Sequence, residues 1–162
     1  MQIGLFIGRF QPFHLGHLSA IRQALEQVGF LIIGIGSSQY SRTPDNPFTA
    51  AERREMIEGS LREENIPESS YRIVEIPDIH DDAKWPVHVR SIIGPFDIFF
   101  TGSKPTRELF EKYDKTPIFE PKKELPISAT QIREKMRKNN KEWQKDVPGA
   151  TLKLLTRFIQ ET

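Results

Sequence analysis

Short β-branched and aromatic runs alternate with longer segments whose apolar positions recur every three or four residues through the first two-thirds of the chain. That alternation is the pattern of a parallel sheet with crossover helices. Strands are predicted at Ile3–Ile7, Leu31–Ile35, Arg72–Ile76, Asp97–Phe100 and, from a shorter run, Pro117–Phe119. Several are almost continuously apolar, as strands buried on both faces should be. Between the first two, Leu18, Ile21, Leu25 and Val28 form one apolar helix face, with Gly29 as its natural stop. Thr49-Ala-Ala-Glu52 is a capping box that opens a helix to about Glu64. A short helix carrying Trp85, Val89 and Ile92 follows, then one starting near Pro105. Ser128-Ala-Thr-Gln131 repeats the capping-box pattern and opens a helix to about Lys138, and Asp146-Val-Pro148 introduces a last helix with Leu152, Leu155 and Ile159 inward. The expected class is α/β, an open parallel sheet with helices on both faces and a C-terminal helical part over about 128–162.

Composition narrows what such a sheet can serve. A length of 162 residues fits one domain over 1–162, and the linker-like segments Ser37–Pro47 and Pro121–Pro126 read as substrate loops. Lys and Arg total 23 against 22 Asp and Glu, a net charge of +1. Bulk charge therefore gives no long-range attraction for nucleic acid or an anionic membrane, and any phosphate binding must be local. The basic cluster Lys122, Lys123, Arg133, Lys135, Arg137 and Lys138 reads as a solvated helix face, because acidic residues interleave with it and aromatics do not. With no cysteine there are no disulfides, thiolate zinc sites or cysteine nucleophiles, which fits a cytoplasmic protein. The longest apolar run, Phe30–Ile35, falls far short of the roughly 20 residues that span a bilayer. The opening MQIGLFIGRF has no basic region ahead of its apolar run and reads as a first strand rather than a signal peptide.

The segment most informative about chemistry is Gly8-Arg-Phe-Gln-Pro-Phe-His14-Leu-Gly-His17, directly after the first strand and at the start of the first helix. In an open parallel sheet ligands bind beyond the carboxyl ends of the strands, where a helix N-terminus also presents free N–H groups. Gly8 permits close backbone approach to an anion, and Gly16 keeps the face between the two histidines open to a bulky ligand. His14 and His17 can donate hydrogen bonds to a phosphate and stabilise charge growing there. A metal site is disfavoured because only two ligands are in view.

These residues are similar to a known signature. His14-Leu-Gly-His17 resembles that of the His-x-Gly-His nucleotidylyltransferases, and the longer string GRFQPFHLGH resembles the nicotinamide mononucleotide adenylyltransferases of the archaeal type. Ile127-Ser-Ala-Thr-Gln-Ile-Arg133 resembles the family's Ile-Ser-Gly-Thr-x-Ile-Arg, with Ala129 in place of glycine. Asn46-Pro-Phe-Thr-Ala-Ala-Glu-Arg53 and Gly36-Ser-Ser-Gln39 resemble two further family segments. The resemblance implies a Rossmann-like nucleotidylyltransferase fold and an in-line attack by a mononucleotide 5′-phosphate on the α-phosphorus of ATP, giving NAD and pyrophosphate. It implies catalytic roles for His14, His17 and Arg133, with Arg133 gripping the departing phosphates. Gly8, Arg9, Phe10, Gly16, Gly102, Ser128 and Thr130 would contact ATP, and Mg²⁺ would be held mainly by phosphates and water. A phosphate monoester is already largely ionised at neutral pH, so no general base is needed, which suits a chain without paired carboxylates or an activated nucleophile.

For the acceptor, Pro77–Trp85 resembles the segment that holds the nicotinamide. Ser37, Gln39, Asn46, Asp78, Asp82 and Trp85 form the expected mononucleotide set. Taken alone, Trp85 reads as a core aromatic; the resemblance makes it a stacking face for a pyridinium cation. Asp82 stands where the family more often has Asn, and its carboxylate would accept from a carboxamide and repel a carboxylate, favouring the nicotinamide over the nicotinate form. Ser103 stands where Asn is usual beside the adenosine. The resemblance also implies a homo-oligomer, a hexamer. The alternatives are a sibling enzyme acting on phosphopantetheine, FMN or a sugar phosphate, and a nucleotide-binding regulatory module without turnover.

Overall fold

The computed structural model describes residues 1–161. Five strands, β1 (Ile3–Gly8), β2 (Phe30–Gly36), β3 (Tyr71–Ile76), β4 (Ile98–Phe100) and β5 (Ile118–Phe119), form one parallel sheet in the order β3-β2-β1-β4-β5. The helices are α1 (Leu15–Gln27), α2 (Ala50–Glu63), α3 (Trp85–Ile93), α4 (Lys104–Tyr113), α5 (Ala129–Arg137) and α6 (Gly149–Glu161). Strand β1 is central, and the direction of winding reverses between it and β4. That reversal opens a crevice at the strands' carboxyl ends, the usual ligand position in this class of sheet.

Side chains alternate across the sheet and fill two cores. Phe6, Leu31, Ile33 and Ile35 pack on one face with α1, α2, α5 and α6, through Ile21, Ile57, Ile132 and Leu155. Leu5, Ile32 and Phe99 pack on the other with α3 and α4, through Val89, Ile93 and Phe110. The five strands and the capping box at Thr49 and Glu52 lie where the sequence pattern predicts them.

Three details differ. Helix α1 ends on Val28 with extended backbone, and Gly29 is no left-handed cap: its N–H donates to the Gln2 carbonyl at 3.2 Å, and a Cβ there would collide with the Met1 side chain. Ser128 caps α5 by accepting from the Gln131 N–H at 3.4 Å, without the return bond of a capping box. In α6 the buried stripe is Thr151, Leu154 and Leu155; Leu152 is half-buried and Ile159 is exposed, so the inward face is rotated from the expected one. No described helix is long and apolar enough to cross a membrane.

Candidate active site

The turn after β1 folds two histidines onto one helix start. The Gly16 and His17 N–H groups donate to Nδ1 of His14 at 3.0 and 3.3 Å, and the His14 N–H donates to Nδ1 of His17 at 3.2 Å. Together they make a reciprocal cap for α1, the role usually filled by a hydroxyl and a carboxylate. A ring nitrogen that accepts carries no proton, so the neutral ring holds its proton on Nε2. The rings stack with centroids 3.6 Å apart, and His17 is further stacked on Phe13 and met edge-on by Phe10. Burial, aided by the charge of Lys123, pushes His14 down to about 4, and burial with the neighbouring His14 pushes His17 well below its ordinary value. At neutral pH both are therefore uncharged Nε2–H donors at the positive end of a helix.

The glycines here answer to rings. A Cβ on Gly16 would lie 2.8 Å from the His14 imidazole, and one on Gly8 would lie 2.7 Å from the Phe10 ring. The Cβ direction of Gly8 is taken by Phe10, whose side chain is core and whose backbone sits at φ 55°.

Two cavities meet at the switch point, sharing Ile7, Gly8, Thr101 and Ser103 on their walls. One of about 410 Å³ is lined by His14, Gly16, His17, Gly102, Lys122 and Lys123. Nothing lies within 4 Å of where a Cβ of Gly102 would be, so a ligand can approach its backbone directly. The other, about 490 Å³, is lined by Arg9, Ser37, Asp78, Asp81, Asp82 and Trp85. Trp85 is half-buried: it meets Phe110 edge-on at 5.4 Å and also walls the cavity.

The remaining expected residues are not on these walls. Gln39 brackets the Asp78 backbone with two bonds of 2.9 Å, tying the loops after β2 and β3 together. Asn46 accepts from Arg9 at 3.4 Å. Arg133 is buried, donating to the Gln11 carbonyl at 2.8 Å and to the Thr130 hydroxyl at 3.3 Å, and Ser128, Thr130 and Arg133 are absent from both cavity walls. Burial pulls the Arg133 guanidinium below its ordinary pKa, with Arg9 acting in the same direction. In this arrangement Arg133 steadies the turn that carries the histidines.

Two supporting residues had no role assigned from sequence. Arg53 is fully buried and donates to the carbonyls of Arg9 and Gly36 at 2.9 Å, and to those of Ser37, Ser38, Tyr40 and Thr49. Its signal was a cation in helical step with Met56, Ile57 and Ser60. Gln11 pairs with both backbone groups of Phe48, at 2.9 and 3.1 Å. Both residues hold strand-end loops that the sheet alone leaves free.

A family model described as Cytidylyltransferase-like matches residues 5–135. A nicotinamide-nucleotide adenylyltransferase of Thermococcus sibiricus is 42% identical over 154 residues, covering 94% of this chain and 82% of that protein. A crystal structure of a bifunctional NMN adenylyltransferase/ADP ribose pyrophosphatase from Francisella tularensis superposes with a TM-score of 0.87 at 26% identity, over 98% of this chain and 50% of that one. A second structure of the Francisella protein, complexed with AMP and a manganese ion, gives a TM-score of 0.76 at 25% identity, over 98% of this chain and 49% of that one. The chain belongs to the cytidylyltransferase-like family, in the group of the archaeal nicotinamide-nucleotide adenylyltransferases.

Proposed function

We propose that the protein joins ATP and nicotinamide mononucleotide to give NAD and pyrophosphate. The observation that carries this is the pair of cavities meeting at Gly8, Thr101 and Ser103, one presenting two Nε2–H donors and the other an aromatic wall among carboxylates. ATP occupies the histidine side, with its adenosine against the open Gly102 backbone, and the mononucleotide occupies the Trp85 side. Its ionised 5′-phosphate then faces the α-phosphorus across the shared wall. A new P–O bond forms as the α–β bridging bond breaks, and the electron pair leaves on pyrophosphate with no proton to move. Neutral donors suit this step: they strengthen their hydrogen bonds as charge shifts to the leaving group without trapping the reactant trianion beforehand.

Asp78, Asp81 and Asp82 wall one cavity and Glu120 and Glu124 the other, and no three metal-ligating side chains converge among the described residues. That donor set fits a divalent cation, Mg²⁺ in this reading, carried in by the nucleotide phosphates. Such a cation offsets phosphate charge when bound.

The test is incubation of purified protein with Mg²⁺, ATP and a panel of phosphorylated acceptors, following pyrophosphate and product mass. NAD from nicotinamide mononucleotide is expected. Product only from phosphopantetheine, FMN or a sugar phosphate would move the reading to a sibling transferase, and ATP binding with no pyrophosphate from any acceptor would leave a regulatory module.

A further inference from the structure

A mononucleotide carries a cation at its ring and a dianion at its phosphate, and the α3-side cavity places Asp78, Asp81 and Asp82 with Trp85. Those carboxylates attract the ring and repel the phosphate. None of them borders the histidine-side cavity, so the phosphate belongs at the wall that the two cavities share, made by Ile7, Gly8, Thr101 and Ser103. Among these four, Thr101 alone joins burial to a polar side chain. Ile7 is apolar, Gly8 has no side chain, and Ser103 is exposed, its hydroxyl oxygen spent on the Thr106 N–H at 3.4 Å as the cap of α4. Thr101 is 4% exposed.

Thr101 lies directly after β4 and is still held to β5, its N–H donating to the Phe119 carbonyl at 3.2 Å. Alternation along the strand therefore puts its side chain on the face of Leu5 and Phe99, the α3 side of the sheet, while Phe100 faces the α1 side. Its Oγ1 accepts from the Ser103 N–H at 3.1 Å. That bond uses a lone pair and leaves the hydroxyl hydrogen, for which no acceptor is found among the described residues. An idle donor in a buried position on a cavity wall suits an anionic oxygen of a ligand.

We propose that Thr101 is a substrate-contacting residue whose hydroxyl donates to one oxygen of the acceptor's 5′-phosphate and holds that group where the two cavities meet. A second oxygen of the same phosphate is then left to attack the α-phosphorus. The hydroxyl keeps its hydrogen throughout and, being neutral, fixes the direction of attack without removing the nucleophile's charge. The proposal rests on the adenylyl-transfer reading above and assigns the residue that seats the nucleophile.

The experiment compares wild type with Thr101→Val, which keeps the shape and loses the hydroxyl, Thr101→Cys, a weak donor, and Thr101→Ser, which keeps the hydroxyl. Calorimetry measures binding of nicotinamide mononucleotide and of nicotinamide riboside, the same molecule without its phosphate, and steady-state kinetics are run in both substrates. Loss of one hydrogen bond to a charged group should weaken mononucleotide binding by about tenfold in Thr101→Val. Thr101→Cys should fall between, and Thr101→Ser should stay within about twofold of wild type. The riboside should bind all four proteins equally. In turnover, Thr101→Val should raise KM for the mononucleotide and lower kcat while KM for ATP stays within about twofold. Equal mononucleotide binding by wild type and Thr101→Val, or an equal weakening of mononucleotide and riboside, overturns the proposal. Product only from another phosphorylated acceptor overturns the nicotinamide reading instead, and that acceptor against its dephosphorylated form then decides the hydroxyl; a wild type that yields no product with any acceptor overturns both.

Discussion

The two halves of the cleft are built at the carboxyl ends of one sheet and differ in their charged groups. On the α1 side the wall holds two neutral histidines, two lysines and two glutamates, with Glu120 paired to Arg107 and Glu124 turned onto Ser19; on the α3 side it holds Asp78, Asp81 and Asp82 around Trp85, with Arg9 at the boundary. The hydrogen-bond donors of the first suit a polyphosphate, and the aspartates and Trp85 of the second suit a cationic ring. A net charge of +1 for the whole chain says nothing of this division.

The most damaging change to the α1 half should be His17→Ala, which removes a preorganised donor. Turnover should fall by about 10²-fold with the circular dichroism spectrum retained, and unchanged turnover would take His17 out of the phosphate site. Arg53→Met strikes the frame common to both halves by leaving buried carbonyls of three segments without donors. A stability loss of about 3 kcal/mol or more in chemical denaturation is expected; a loss below about 1 kcal/mol would show that water takes over those carbonyls.

Acid should act on the α1 half first. Its histidines are neutral when folded and protonate more readily when unfolded, so the unfolded state takes up more protons as pH falls. Stability should be full above about pH 6.5 and decline towards pH 4. His14→Asn, which keeps a capping side chain, should flatten part of that decline in urea titrations across this range, and an unaltered pH profile would contradict the neutral assignment.

The smallest effects belong to the α3 half. Trp85→Ala should raise KM for the mononucleotide about tenfold and leave KM for ATP near its starting value. Wild type should prefer nicotinamide over nicotinate mononucleotide, and Asp82→Asn should narrow that preference by several-fold. Equal catalytic efficiency on both acceptors in wild type would remove Asp82 from ring recognition.

The same contrast governs what the sequence revealed. Strand positions were legible because buried parallel strands are short apolar runs, and the Thr49 cap because its partner is three residues away. The histidines were legible as a pair, but their protonation state depends on Phe10 and Phe13 stacking and on backbone N–H groups aimed at Nδ1, which no spacing encodes. Gly8 and Gly16 line the histidine-side cavity, and a second reason for glycine at both, the Phe10 and His14 rings that exclude a Cβ, comes from the fold. Arg133 stood in a phosphate motif, yet its hydrogen bond runs to Gln11, 122 positions earlier. Lys122 and Lys123 looked like part of a solvated face until Gln23, 99 positions from Lys122, pinned their loop beside the histidines. Contacts of that range are products of the fold.

The proposed direct attack of one substrate on the other has one stereochemical consequence. The most direct measurement is the configuration at the α-phosphorus after reaction of a single diastereomer of α-thio-ATP with nicotinamide mononucleotide. Direct in-line attack predicts a thio-dinucleotide of inverted configuration and unmodified protein. Retained configuration, or an adenylylated protein captured by mass spectrometry, would contradict it.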